Sequence, residues 1–442
     1  MSEMTKEDVL RAVKDKNVKF IRLWFTDVLG MLKSFAVTSD MLEEALQEGM
    51  GFDGSSIEGF ARIHESDMVA MPDPSTFAIL PWRPREYAVA RMFADVRQPD
   101  GTPYVGDPRY ALKRMLKEAS DMGYTMYIGP ELEYFYFQDA ESVKTLDRGG
   151  YFDLTPLDTA SDLRRETILA LQSLGIEVEY SHHEVAPSQH EIDLRYMEAL
   201  KMADASMTYR LVVKEIAQKH GIYATFMPKP IFGENGSGMH THQSLFKGSK
   251  NAFYDGNDPY NLSEEGKSYI AGILKHAKEM CLVIAQWANS YKRLVPGYEA
   301  PVYVSWARRN RSALVRVPMY KPGKEQATRM EFRCPDPACN PYLAFAVMLA
   351  AGLKGIKENY KLPDPVEEDI FEMSPEARDK AGIDSLPGSL GQAIEETKDS
   401  EVVRYALGDH IFDKFIQNKL IEWDRYRTHV SQWELDTYLP IL

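Results

Sequence analysis

The chain has 442 residues, 44% of them hydrophobic and 27% charged, and no low-complexity tract, which predicts a globular protein of two or three domains. A formal net charge of -14 and a pI near 5.3 argue against binding to nucleic acid or an anionic membrane, so any phosphate ligand must be held by locally clustered positive charge and metal. Cys281, Cys334 and Cys339 form no disulfide framework and lack the paired ligands of a zinc site, which suits a reducing cytoplasm.

The opening residues lack the apolar core of a signal peptide, and a helix is predicted over 6–16. The apolar run 19–26 reads as a strand, 31–38 as its hairpin partner, and 87–95 as a later strand, giving a small mixed domain over the first 98 residues. The turn-rich Pro99-Asp-Gly-Thr-Pro103 places the boundary between a domain over 1–103 and a second over 104–442. Beyond it Asp107 caps a helix with Pro108 in its first position, stopping near Gly123. A strand follows over 124–137, a helix over 163–174, an extended segment over 176–180, a long helix over 197–220 and a short strand over 223–227. Residues 263–290 read as mostly helical, and 340–358 as a buried apolar helix too short in its apolar run to cross a bilayer. From Pro363 the chain becomes a charged, helical accessory segment.

Five glutamates and a histidine stand in separate, recognisable surroundings: Glu131, Glu133, Glu184, Glu191, His240 and Glu331. Residues i and i+2 of a strand share a face, so Glu131 and Glu133 point into one space and repel unless a cation, an arginine or a proton intervenes. A solvated acidic face is the alternative, although Ile128, Leu132, Tyr134 and Phe135 make this a largely buried strand. Glu184 and Glu191 flank Pro187-Ser188; two strand ends joined by a turn bring both to one ion, or make an ordinary polar hairpin. Between Lys229 and His240, Gly233, Gly236 and Gly238 let the backbone approach a ligand, without the Gly-Lys-Ser/Thr of a P-loop. Among the later arginines, Arg308 and Arg309 read as solvated, whereas Arg329, Glu331 and Arg333 would share one strand face as an anion-and-metal site. Six such ligands suffice for two divalent ions, and oxygen donors with one imidazole suit Mg²⁺ or Mn²⁺. Metal, anion grips and glycine-rich loops together imply phosphoryl transfer.

On these residues the chain resembles glutamine synthetase of type I along its whole length. The resemblance rests on Phe52-Asp-Gly-Ser-Ser-Ile-Glu-Gly-Phe60, the stretch from Lys229-Pro to Ser244, the block from Asn289 to Pro301, and Asn340-Pro-Tyr-Leu-Ala344. It implies an α+β fold: a small N-terminal β-grasp domain and a large catalytic domain with a curved antiparallel sheet and packed helices. It also implies a homododecamer of two hexameric rings with active sites shared between adjacent subunits, open to small regulatory proteins as partners. By resemblance, Glu133, Glu184 and Glu191 hold the ion nearer glutamate and ammonia, and Glu131, His240 and Glu331 the ion bridging the ATP phosphates. Asp53, from the neighbouring subunit, resembles the group that deprotonates ammonium, helped by Ser56, Tyr151 and Glu184, with Glu299 as a flap carboxylate. Arg293, Arg311 and Arg333 with Asn235-Gly236 look like the glutamate and phosphoryl grips. Glu179, Leu194, Arg195, Tyr196, His242, Gln243, Ser244, Arg311 and Arg316 fall where the nucleotide binds.

The implied reaction joins ammonia to L-glutamate through γ-glutamyl phosphate, with ATP and two Mg²⁺ or Mn²⁺ ions. Two departures stand out. Phe371 occupies the place of the tyrosine that regulated relatives adenylylate, which points to the alpha subdivision, and Tyr320-Lys-Pro-Gly-Lys-Glu-Gln-Ala327 differs from that subdivision's shorter loops. Arg62, just after the Asp53 loop, is placed either for feedback inhibition by glutamine or for an ion pair with Glu58 or Glu65. A γ-glutamyl-polyamine ligase and a non-catalytic scaffold are the competing readings; the ammonium-pocket residues oppose the first, and the intact ligand set the second.

Overall fold

Two sheets organise the chain, and the computed structural model describes residues 4–442 apart from Ser56, Glu58, 60–65 and Glu299. Helix α1 (Lys6–Asp15) opens with a capping box: the Thr5 hydroxyl accepts from the Asp8 amide while the Asp8 carboxylate accepts from Thr5. Strands β1 (Val18–Thr26) and β2 (Leu32–Thr38) form the expected hairpin, its turn closed by Asp27 Oδ1, which accepts from the amides of Leu29 and Met31. Helix α2 (Leu42–Glu48) and strands β3 (Met50–Asp53), β4 (Asp67–Pro72) and β5 (Ala78–Ile79) follow, then β6 (Ala88–Arg97). The order is β2-β1-β6-β4-β3 with β5 on β6, and β1 and β6 run parallel at its centre, the β-grasp arrangement. Sequence pattern missed α2 and β3–β5 because they are short and lie beside turn-forming Asp, Gly and Ser.

The second unit begins with α3 (Pro108–Asp121) and β7 (Thr125–Phe137), both near their predicted bounds. Helix α4 (Ser161–Ser173), β8 (Val178–His183), β9 (Gln189–Leu194), β10 (Met197–Glu198) and α5 (Ala199–Lys219) come next. The extended segment expected over 176–180 thus starts later and runs on to His183, carrying both histidines into the sheet. Strand β11 (Tyr223–Thr225) stops two residues short of its predicted end, where the Met227 amide turns back to Thr225 Oγ1. Then follow β12 (Met239–Lys247), β13 (Lys250–Asn251), α6 (Glu264–Lys275), α7 (Ala277–Ile284) and α8 (Ser290–Arg293). The helical stretch expected over 263–290 is broken at His276 and again at 285–289. Strands β14 (Tyr303–Ala307), β15 (Ala313–Arg316) and β16 (Met330–Phe332) precede the buried helix α9 (Pro341–Lys357). The tail is α10 (Pro375–Lys380), β17 (Asp384–Ser385), α11 (Leu390–Thr397), α12 (Glu401–Leu407), α13 (Asp409–Arg427) and α14 (Gln432–Tyr438).

The large sheet runs β17-β14-β15-β16-β12-β7-β9-β8, antiparallel throughout except for β14 beside β15, with β10 and β11 on β7 and β13 on β12. Helix α9 packs in the core against α6, so closely that a Cβ on Gly272 would lie 2.2 Å from the Ala351 carbonyl. Asn340 caps α9 and also donates to the carbonyls of Asp27 and Val28, binding the helix start to the first sheet. Arg109, on α3, makes a second bridge, with Asp73 and Asp95 on one side and Asp204 of α5 on the other. Among the described residues no helix is long and apolar enough to cross a membrane.

Candidate active site

Cross-strand register builds the site. Residues directly opposite one another in a ladder share a face. Glu191 of β9 faces His182 of β8 on one side and Glu133 of β7 on the other. One step along, Tyr180, Asp193, Glu131 and His240 line up across β8, β9, β7 and β12. The next row holds His242, Glu331 and Arg316, from β12, β16 and β15. Glu184 follows β8 at the turn into β9 and joins His182 at 2.8 Å.

Of these, Glu131, Glu133, Tyr180, His182, Glu184, Glu191, His240 and Arg316 line a cavity of about 290 Å³ that also takes in Tyr151, Gln189, Asn235, Gly236, Arg293, Tyr298, Arg311 and Arg333. The glycine-rich loop enters because larger residues do not fit. A Cβ on Gly236 would meet the Pro228 carbonyl at 2.4 Å, and one on Gly238 would meet Arg293 Nη2 at 2.7 Å. The Gly238 amide and Gln189 Nε2 both donate to Glu133 Oε2. Arg293 donates to the carbonyls of Cys334 and Arg333, and Arg333 in turn donates to Glu331.

Electrostatics separate the carboxylates. Burial and the facing Glu184 push Glu133 well above the usual carboxylate range, and burial and Asp193 do the same to Glu191. Burial also raises Glu331, but Arg333, His242 and His240 outweigh it and bring its pKa down to about 2. Glu133 and Glu191, buried and facing other carboxylates, call for a divalent cation, and the oxygen-and-imidazole donor set fits Mg²⁺ or Mn²⁺. His182, Glu184 and Glu191 offer ligand atoms within 4.8 Å of one another, as do Glu131, His242 and Glu331. His242 is nevertheless committed: Arg329 Nε donates to its Nδ1, so its Nε2 carries the proton and donates to Glu131 at 2.8 Å. His240 stands beside the same carboxylates, with Nδ1 3.3 Å from Glu131 and 3.8 Å from Glu331.

A second cavity, of about 260 Å³, adjoins the first across Glu131 and Tyr180. Tyr127, Glu179, Asp193, Leu194, Tyr196, His242, Gln243, Ser244 and Arg329 line it. Three residues expected there lie elsewhere. Arg195 is exposed and pairs with Glu177, and Arg311 and Arg316 line the first cavity, with Arg316 Nε 2.5 Å from Glu331. Asp53, at the end of β3, is exposed and does not line this chain's own cavity. Ser56, Arg62 and Glu299 lie outside the described residues. Sequence reasoning missed Tyr180, His182, Asp193 and Gln189 as cavity residues; the alternation Glu191-Ile-Asp193 held the signal for one of them. It also missed the brace beneath Glu184, where His183 Nδ1 meets the Glu184 carbonyl at 2.7 Å and Nε2 meets Asp147 at 3.1 Å. Both partners are acceptors, so His183 donates from both nitrogens as an imidazolium.

A carboxylate cavity flanked by arginines, opening on an aromatic-lined second cavity of one antiparallel sheet, defines a cation-dependent enzyme that handles phosphates. The family models for the glutamine synthetase β-grasp domain and catalytic domain match residues 17–99 and 105–438. The chain belongs to the glutamine synthetase family. It is 55% identical to the glutamine synthetase of Methanosarcina mazei, over 99% of this chain and 98% of that one. It is 53% identical to that of Thermotoga maritima, over 99% and 100% of the two chains. Among solved structures, a GmaS/ADP complex superposes with a TM-score of 0.90 at 31% identity, covering 98% of this chain and 99% of that one. Plasmodium falciparum glutamine synthetase gives 0.89 at 26%, covering 99% of each.

Proposed function

We propose that this chain ligates ammonia to L-glutamate with ATP, giving L-glutamine, ADP and phosphate. The observation that carries this reading is the set of carboxylates and imidazoles in an arginine-flanked pocket that shares Glu131 and Tyr180 with a second, aromatic-lined one. The γ-carboxylate of glutamate attacks the γ-phosphorus in line, forming γ-glutamyl phosphate, and ammonia then displaces phosphate. Two divalent ions, held by Glu133, Glu184 and Glu191 and by Glu131, His240 and Glu331, would neutralise phosphate charge. Arg311 and Arg333 face the cavity and suit the charge of the transferring group, while Asn235, Gly236 and Arg293 shape the glutamate pocket. Glu179, Leu194, Tyr196, His242, Gln243 and Ser244 form the nucleotide wall. Hydroxylamine-trapped γ-glutamyl product from purified protein, dependent on ATP and a divalent ion, is the expected result. A faster reaction with a polyamine than with ammonia would overturn the reading.

We further place the chain in the type I alpha subdivision, without adenylylation. Phe371, half-buried with its ring 5.8 Å from that of Tyr303, has no hydroxyl to modify. The domain boundary after residue 103 fits family matches that end at 99 and resume at 105. A cytoplasmic location accords with three free, buried thiols.

An assembly with shared sites, a dodecamer of two rings, is supported by two observations. Asp53 is exposed away from its own cavity, and the C-terminal segment exposes Val430, Trp433, Leu439, Ile441 and Leu442. If Asp53 serves a neighbour, with Ser56, Tyr151 and Glu299, subunits carrying Asp53→Ala should regain activity when mixed with Glu331→Gln subunits. Some interfaces then pair two intact halves. Verified mixed oligomers without any recovery would rule this out. For Arg62 we infer a part in feedback: Arg62→Ala should raise the glutamine concentration for half-inhibition and leave KM for glutamate unchanged. A parallel rise in both constants would instead make Arg62 a substrate contact.

A further inference from the structure

Lys229 begins the glycine-rich loop with only 9% of its surface exposed, and among the described residues it has no ion-pair partner. Its backbone is clamped by one side chain: the Lys229 amide donates to Asn289 Oδ1 at 2.8 Å and its carbonyl accepts from Asn289 Nδ2 at 3.0 Å. The ammonium is thereby aimed between two loops. It donates to the carbonyl of Glu234 and lies 3.8 Å from the centroid of the Tyr298 ring. Glu234 immediately precedes Asn235 and Gly236, while Tyr298 lies two residues before Ala300, and these four neighbours all line the cavity that holds the carboxylates. An ammonium shielded from water and seated on an aromatic face is held more firmly than an exposed one. One cation therefore ties together two loops, well separated in sequence, that line the same cavity.

We propose that Lys229 is a positioning residue that latches the 233–238 loop to the turn at residues 295–298 beside bound glutamate, through its contact with the face of Tyr298. This rests on the reading of Asn235 and Gly236 as part of the glutamate pocket. The latch predicts non-additivity, because either partner's removal frees both loops. The test is steady-state kinetics on the full oligomer with Lys229→Gln, Tyr298→Leu, the double variant and Tyr298→Phe. Each of the first two should raise KM for glutamate about tenfold, with KM for ATP moving less than about twofold and the double variant no worse than either single. Tyr298→Phe keeps the ring face and should lose far less than Tyr298→Leu. Should Lys229→Gln fail to assemble, the two Tyr298 variants decide the matter alone, since that side chain is partly exposed. Additive losses, or equal losses for Phe and Leu, would overturn the latch while leaving the glutamate pocket in place. Coupling that appears in KM for ATP instead of glutamate would overturn the reading of the pocket, and the proposal with it.

Discussion

Glu331→Gln is expected to lower the rate of glutamine synthesis by roughly 10²–10³-fold while the protein remains folded and assembled. Glu331 is fully buried, with one oxygen 2.7 Å from Arg333 Nη1, the other 2.5 Å from Arg316 Nε, and His240 at 3.8 Å. Its pKa of about 2 keeps it ionised throughout any neutral assay. The carboxamide keeps the shape and removes the charge that would hold a divalent ion beside ATP. Glu331→Ala is the poorer probe, since it leaves two guanidiniums facing an uncompensated space at a cost of about 3–5 kcal/mol. Phosphate release and divalent-ion titration on the same preparation measure the effect. Near wild-type turnover at saturating Mg²⁺ would remove Glu331 from the ligand set.

Arg109→Met should destabilise the fold by about 3–5 kcal/mol, more than any single exposed ion pair in the chain. The guanidinium is 3% exposed and donates to Asp73, Asp95 and Asp204, at 2.8, 2.5 and 2.9–3.1 Å. Asp204 also accepts from the Tyr342 hydroxyl at 2.6 Å, which brings α9 into the network. Removing the cation leaves three carboxylates converging where the first sheet meets α3 and α5. The neighbouring Lys113, which also reaches Asp95, is about a third exposed, so Lys113→Met should cost no more than about 1 kcal/mol. Urea midpoints by tryptophan fluorescence, at one fixed protomer concentration, compare the two. A smaller shift for Arg109 than for Lys113 would show that the clamp is not what joins the first sheet to the helices behind the second.

Much of the site was legible before any coordinate. The spacing of Glu131 and Glu133 sets both on one strand face, because side chains alternate with a period of two residues. Asp107-Pro108 and Asn340-Pro341 announce the starts of α3 and α9 through cap chemistry that acts within one turn. All six ligand candidates stood out by their surroundings, and the resemblance added the nucleotide-side candidates, of which Glu179, Leu194, Tyr196, His242, Gln243 and Ser244 line the second cavity.

What the sequence determined by itself is local: which face a side chain takes, where helices begin, and which loops need glycine to come close. Tertiary structure alone decided which strands are neighbours. His242 reaches Glu131 across 111 residues of sequence, and Arg329 sets its tautomer across 87. No periodicity encodes either contact. The same pairing moved Arg316 from the nucleotide wall to the Glu331 side of the sheet, and brought Tyr180 and Asp193 into the row that holds Glu131. Alternation fixes a face only within one strand. The register between strands is set by burial of both sheet faces at once, a property of the whole packed core rather than of any segment.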